Sequence, residues 1–342
     1  MPPTTEPADY LRRFESFSPT RLWRNVNLAG DFTLVAPIME RMYTAATGAP
    51  VDGVIQIDST GLAAILEGIG PVDVPGLGTV NKDNVVAVTL NDAYVRFPDR
   101  PVRQDYLEAV ARTSFERLLS GEYPSVTALA GALVRAAEGR HVILHAADPA
   151  VQRLGATLGA DGSLPAPGVN FAGLTVQNLS GNKLDYYVDT KLGITGEVRP
   201  GRASRLKLAV PIPNPAPANG VPQYVFGPFS PAFQAGEYSG LASVYLPTGS
   251  ALTGQEGTDG RPAVASEGGR TVVSYGINLK AGETRTAVLD VLLPAQPPAE
   301  VGWVLPASPR VRPTVVTMAL DTPGGTLRFD GPLDRTIVRS TH

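Results

Sequence analysis

The residues best placed to do chemistry lie in one short run, Tyr94-Val95-Arg96-Phe97-Pro98-Asp99-Arg100-Pro101-Val102-Arg103-Gln104. It brings Arg96, Arg100 and Arg103 together with Asp99 just ahead of an amphipathic helical pattern. A guanidinium is a planar fork that matches the oxygens of a phosphate, so three of them at a loop-to-helix junction could bind an anion. The free N–H groups of the helix start would reinforce that field. Asp99 is placed to orient one arginine through a bidentate pair, with Tyr94 and Gln104 as supporting neighbours. The simpler alternative for the same run is a solvated ion-pair cluster that ties a loop down.

The remaining titratable groups offer less. Asp52 and Asp58 bracket a strand-like segment, which suits turn and cap roles better than a base or a metal ligand. Asp31 is a helix cap. His141 and His145 share one face of a strand, but no third ligand stands near them. Asn178, Asn182, Lys183, Asp185 and Tyr186 form the densest polar cluster of the second half; a capped turn around Ser180-Gly181 accounts for it, with domain docking as the functional alternative. Gly76-Leu77-Gly78 lacks the rest of any nucleotide-binding fingerprint.

Composition excludes several classes. The 342 residues contain no cysteine and three histidines, so disulfides, thiolate nucleophiles and His-rich metal sites are out. A net charge of -3 gives no general basic field for nucleic acid. Residues 1–20 hold no apolar run, so they read as neither signal peptide nor membrane anchor. The length predicts more than one domain.

The elements that must position the arginines follow two grammars. Residues 22–165 alternate helix and strand signals and predict an α/β layered domain. Asp31 starts a helix on Phe32, Val35, Met39, Met42 and Ala46 that stops at Gly48; residues 52–58 read as a strand; Ser59 caps a short helix; residues 81–94 read as one helix. Leu107, Val110, Ala111, Ser114 and Leu118 mark the helix after Arg103, and Val126 to Ala137 repeat the pattern. From Gly173 onward short β segments alternate with Gly and Pro turns, including Leu184 to Val188, and predict an all-β, Ig-like antiparallel sandwich over 170–342. The proline-rich stretch 211–222 reads as a rigid loop. Residues 1–21 read as a flexible lead segment.

These motifs carry two resemblances. Residues 51–58, Leu62 and Gly68 to Val72, followed by Tyr94-Val95-Arg96 and Arg100-Pro101-Val102-Arg103-Gln104, resemble the second half of a LytR-CpsA-Psr domain, with Pro71 where that family often has glycine. That resemblance implies binding of a polyprenyl-pyrophosphate-linked glycan by Arg96, Arg100 and Arg103, and its phosphoryl-linked transfer to the cell wall. It also implies an extracytoplasmic, cell-envelope setting; no cofactor beyond Mg²⁺ is implied, and no metal ligand is assigned.

A second resemblance spans nearly the whole chain. Trp23 to Asn27, Asp31-Phe32, Val51 to Val54, Asn178 to Tyr187, Val244 to Pro247 and Gly268-Gly269-Arg270 resemble a bacterial family common in actinobacteria and labelled domain of unknown function 4012. Both families carry further strands, with an Arg-Asp pair or an Asn-x-x-Glu-x-Arg segment, upstream of the Trp23 equivalent and after a membrane anchor. The sheet is therefore expected to lack its first strands and the carboxylates that would hold a metal. Two functions follow as expectations: glycan binding with possible transfer, or a non-catalytic surface scaffold with a vestigial phosphate site.

Overall fold

The computed structural model describes residues 7–75, 78–218, 222–295 and 302–341. The fingerprint fragment at Gly76 and Leu77, part of the proline-rich stretch and the terminal His342 lie outside them.

The chain opens with a short helix, α1 (Ala8–Phe14), whose Tyr10 and Phe14 are buried. The expectation of a flexible lead over residues 1–21 is thus corrected for its described part. Two aromatics one turn apart give this helix an apolar stripe to bury, and that burial holds it down.

Helix α2 (Phe32–Thr47) begins where Asp31 accepts from the Thr33 N–H at 3.0 Å and ends at Gly48 in a left-handed conformation. Strand β1 (Gly53–Ile57) leads into α3 (Ser59–Ile69). The cap of α3 is Asp58, which accepts from Gly61 N–H at 2.8 Å, rather than the expected Ser59. A small hairpin, β2 (Val72–Val74) and β3 (Gly78–Val80), follows.

The single helix expected over residues 81–94 is broken. It consists of α4 (Val85–Ala87), a π-helical turn over Val88–Asp92, and α5 (Ala93–Arg96). Helix α6 (Arg100–Ser120) starts earlier than the periodicity suggested, because Pro101 is pre-organised for the first turn. Helix α7 (Val126–Glu138), strand β4 (Val142–Ala146) and α8 (Pro149–Thr157) complete this part.

β1 and β4 are the whole of one sheet among the described residues, and they run antiparallel. Helices α3, α6 and α7 bury a core of Ile65, Leu66, Ile69, Tyr106, Val110 and Leu129. A second core joins Tyr10, Phe14 and Val26 to α2 and Ile143.

The second part is β-rich. Strands β5 (Gly173–Asn178), β6 (Lys191–Glu197), β7 (Ser204–Pro213), β8 (Tyr238–Leu246), β9 (Ala251–Glu256), β10 (Asp259–Glu267), β11 (Arg270–Leu279), β12 (Thr284–Leu293), β13 (Gly302–Leu305), β14 (Val315–Thr322), β15 (Gly325–Pro332) and β16 (Ile337–Ser340) build it. A four-stranded sheet has the order β10-β11-β8-β5 and a six-stranded sheet the order β15-β14-β6-β7-β12-β9. Their inner faces share one core, to which Leu174, Val244 and Val273 contribute from the first and Ile194, Leu208 and Leu289 from the second. All neighbours run antiparallel except β14 beside β6. The molecule is therefore a mixed α and β protein with a large β-rich C-terminal region.

Two β expectations are corrected. Leu184 to Val188 is not a strand: Leu184–Tyr186 is a 3₁₀ turn with Leu184 buried. β7 runs on through Pro211 and Pro213, opposite Thr286 and Thr284 of β12. Its other neighbour, β6, pairs only as far as Ala209, so the prolines need no N–H on that side.

Candidate functional site

The arginine block does not act as one unit. Arg103, in the first turn of α6, is buried. It donates to the Phe97 carbonyl at 2.8 Å and to the Pro98 carbonyl at 3.2 Å, closing the end of α5. Its guanidinium sits 5.1 Å from the Tyr94 ring centroid and 4.3 Å from that of Tyr224. Tyr224 belongs to α9 (Gln223–Phe226), a short helix of the β-rich region, and stacks on Tyr94 at 5.4 Å with an interplanar angle of 4°. Lys183 adds its ammonium 5.0 Å from the Tyr94 centroid. Arg103 thus joins the α5–α6 corner to the sandwich.

Arg96 and Arg100 are exposed, as are Asp99 and Gln104. Arg96 lies over the Phe97 ring at 5.1 Å. Asp99 occupies the N-cap position of α6 without a side-chain capping bond, and among the described residues it pairs with none of the three arginines. The predicted orienting pair is therefore not formed. On the core side of α6, where a polyprenyl chain would need a channel, Phe97 packs on Tyr106 with ring centroids 5.0 Å apart, and Val110 and Leu129 fill the space beyond. Burial raises the Tyr106 phenol above its ordinary value, and the nearby Arg96 opposes that.

The polar cluster of the second half is structural. Asn178 Nδ2 donates to Asn182 Oδ1 at 2.9 Å, and Ser180 N–H donates to Asn178 Oδ1 at 2.8 Å. Asp185 accepts from Tyr238 at 2.9 Å, and the burial of that phenol raises it well above the usual tyrosine range. The histidines are held separately: His141 Nδ1 lies 2.7 Å from Asp58, and His145 Nε2 lies 3.8 Å from Glu40. Among the described residues no group of three His, Asp or Glu side chains converges as a metal site. The residues around Arg96 and Arg100, with Asp99 as the neighbouring carboxylate, do not make the donor set that Mg²⁺ prefers.

Sequence reasoning missed a denser charged cluster at the same seam. Arg13 of α1 is ion-paired with Glu267, which is 0% exposed, and also donates to Ser243 Oγ at 3.2 Å and Ser274 Oγ at 3.3 Å. Asp31, besides capping α2, pairs with Arg270 at 2.8 Å. Arg270 also donates to the Pro165 carbonyl at 2.7 Å and the Leu164 carbonyl at 2.8 Å. The Gly30 N–H donates to Tyr245 Oη at 2.9 Å; a Cβ on Gly30 would meet the Tyr245 ring at 2.8 Å, so only glycine permits this approach.

Arg140 completes the seam by donating to the carbonyls of Ser163, Gly30 and Gly162. Burial pushes its guanidinium below the ordinary value, against the pull of Asp31 and Asp161. Beside it lies a cavity of about 240 Å³ lined by Asn27, Gln56, Arg140, Thr175, Gln177 and Tyr245 among others. Among the described residues Thr175 Oγ1 and Arg140 Nε are buried there without a partner, a setting that suits ordered water. The signals for this seam were present in the sequence as Asp31, the Gly268-Gly269-Arg270 turn, and an arginine set between Tyr10 and Phe14.

Among the described residues no helix is long and apolar enough to cross a membrane. No curated protein matches the chain. Three similar solved structures are of an M1 zinc metallopeptidase from Deinococcus radiodurans. A mutant form bound to Tyr-Ser-Ala substrate is 12% identical, with 44% of this chain and 42% of that chain covered and a TM-score of 0.24. The same mutant alone is 12% identical, covering 47% and 43%, with a TM-score of 0.25. The parent enzyme is 11% identical, covering 47% and 42%, also at 0.25. The match spans less than half the length of those enzymes, and a likeness this weak carries no argument about fold or activity. Residues 1–94, which include the Trp23, Asp31 and Val51 to Val54 motifs, match the model of a family described as protein of unknown function (DUF4012), and that match supports the family resemblance read from those motifs.

Proposed function

We propose that this chain is a non-catalytic module of the bacterial cell envelope, in which an α/β unit of LytR-CpsA-Psr type is locked to an Ig-like sandwich and serves as a scaffold with a vestigial phosphate site. The observation that carries the reading is the position of Arg103. A guanidinium buried against two stacked tyrosine rings and tied through Nη1 to two carbonyls is turned from solvent rather than presented to a diphosphate, and Arg96 and Arg100 alone lack an orienting carboxylate. Phosphoryl chemistry depends on positioned charge, so losing one of three cations from the set removes much of its basis. The filled core beside α6 supports the same reading, because a polyprenyl tail needs an apolar channel. The envelope setting and the LytR-CpsA-Psr assignment rest on the motif resemblances, the Ig-like assignment on the pattern of short strands and turns, and likeness of fold does not establish transfer.

One observation favours a second reading. Arg96 and Arg100 are exposed and, among the described residues, free of ion pairs. A pyrophosphate-linked glycan could be held there, with Tyr94 and Gln104 beside it.

Equilibrium binding of a short-chain polyprenyl pyrophosphate, with and without Mg²⁺, separates the two. The scaffold reading expects no saturable binding, or binding unchanged in Arg96→Ala/Arg100→Ala. Micromolar binding that falls about a hundredfold in that variant, the loss of two charge-assisted contacts, establishes the second reading instead.

A further inference from the structure

We propose that the free edge of β1 is a docking site for an extended polypeptide strand whose centre is apolar and whose ends are basic. The argument starts from the ladder that β1 forms with β4. Ala147 N–H donates to the Asp52 carbonyl at 2.8 Å and Asp58 N–H donates to the His141 carbonyl at 3.2 Å, at the two ends of one register. Antiparallel pairs alternate between residues that exchange bonds and residues that do not. Val54 and Gln56 therefore bond to β4, and the N–H and C=O groups of Gly53, Ile55 and Ile57 point the other way. Among the described residues none of those groups has a partner.

The outer edge of β4 is different. There Leu144 N–H donates to the Ala160 carbonyl at 2.6 Å, Ala146 N–H donates to Gln152 Oε1 at 2.8 Å, and α8 lies alongside. One edge of this sheet is closed by the fold and the other is left open.

Proteins guard open edges with lysine, proline or a bulge. β1 reads Gly-Val-Ile-Gln-Ile and has none of these. Ile55, at its middle, is 63% exposed. Unpaired backbone groups with an exposed apolar side chain are what strand addition uses: main-chain bonds supply affinity and alternate side chains supply selectivity.

Charge chooses among occupants. Asp52 and Asp58 stand at the two ends of the strand, Asp58 with its carboxylate also capping α3 at Gly61 and bonded to His141, where it keeps its negative charge at that end. In a symmetric pairing with a second copy, the register that uses all three open residues sets Ile55 opposite Ile55 and Asp52 opposite Asp58. Like charges directly opposite are destabilising. A strand with Lys or Arg at those two places meets both carboxylates, so the occupant is a partner of that chemistry.

The test uses the whole chain and two fluorescein-labelled peptides, Lys-Val-Thr-Val-Thr-Val-Lys, which sets Val opposite Ile55, and the same sequence with Glu at both ends. The Lys-ended peptide is expected to bind at least about tenfold more tightly at low salt, where the Asp52 and Asp58 charges are least screened. At saturation, amide hydrogen exchange at Ile55 and Ile57 slows by roughly tenfold or more, whereas Val54 and Gln56 change little. Ile55→Pro removes an outward N–H without touching the β4 ladder and abolishes binding. Ile55→Lys keeps that N–H, and by setting a like charge beside the Lys-ended peptide it weakens binding. Equal binding of the two peptides, no binding of either, or unchanged exchange at Ile55 and Ile57 would overturn the proposal. So would concentration-dependent self-association that protects the same amides, which would make a second copy the occupant.

Discussion

Two arginine-bearing regions meet the seam between the helical part and the sandwich, and they behave oppositely. The block at Arg96, Arg100 and Arg103 is conspicuous in sequence, yet two of its members face solvent and one is buried against tyrosines. The second region draws Arg13, Arg140 and Arg270 from distant parts of the chain into a largely buried network with Glu267 and Asp31. Local density of charge therefore measured exposure, whereas dispersed arginines made the joint. A buried guanidinium needs several fixed acceptors, and a fold gathers those more readily from separate segments than from its own neighbours.

Breaking the buried network should have the largest effect. Glu267→Ala leaves Arg13 buried without its counter-charge and is expected to cost about 3–5 kcal/mol, read as a lowered midpoint in chemical denaturation. Arg270→Ala strands Asp31 and should fall in the same range. If either change costs under about 1 kcal/mol, water reaches the seam and the contrast with the exposed block disappears.

Next comes Arg103→Ala, which removes two bonds to carbonyls and a cation from two aromatic faces, for an expected loss of roughly 2–3 kcal/mol. Arg103→Lys should recover little of it, since an ammonium cannot stack as a planar guanidinium does. Asp58→Ala removes the cap of α3 and the bond to His141 and should cost about 1 kcal/mol. Thermal melts of Arg96→Ala and Arg100→Ala sharpen the comparison from the other side: both should stay within about 0.5 kcal/mol of the parent.

Much of this architecture is legible in the sequence because it is local. The cap at Asp31, the apolar face of α2 and the stop at Gly48 follow from spacing, as do β8, β11, β12 and the β14–β15 hairpin. What failed depended on distant partners. Leu184 to Val188 carries strand-like residues, but the Asn178–Asn182 bonding turns the chain there and draws it into a 3₁₀ turn. Pro211 and Pro213 lie in a strand because β6 ends before reaching them, which no local pattern records. The pairing of β1 with β4 is antiparallel and, among the described residues, stands alone, although strands separated by helices suggested a layered sheet. For the arginine block, the residue types were legible and their orientation was not: the ring that captures Arg103 comes from Tyr224, far along the chain.

The central claim is that Arg103 belongs to the seam. A double-mutant cycle in chemical denaturation between Arg103→Ala and Tyr224→Ala tests it most directly, because it isolates the coupling between the helical corner and α9. The account predicts a coupling of about 1 kcal/mol or more, with the double variant less destabilised than the sum of the two single ones. A coupling within about 0.3 kcal/mol of zero, in variants shown to be folded, would contradict it and return Arg103 to the exposed set as a free anion ligand.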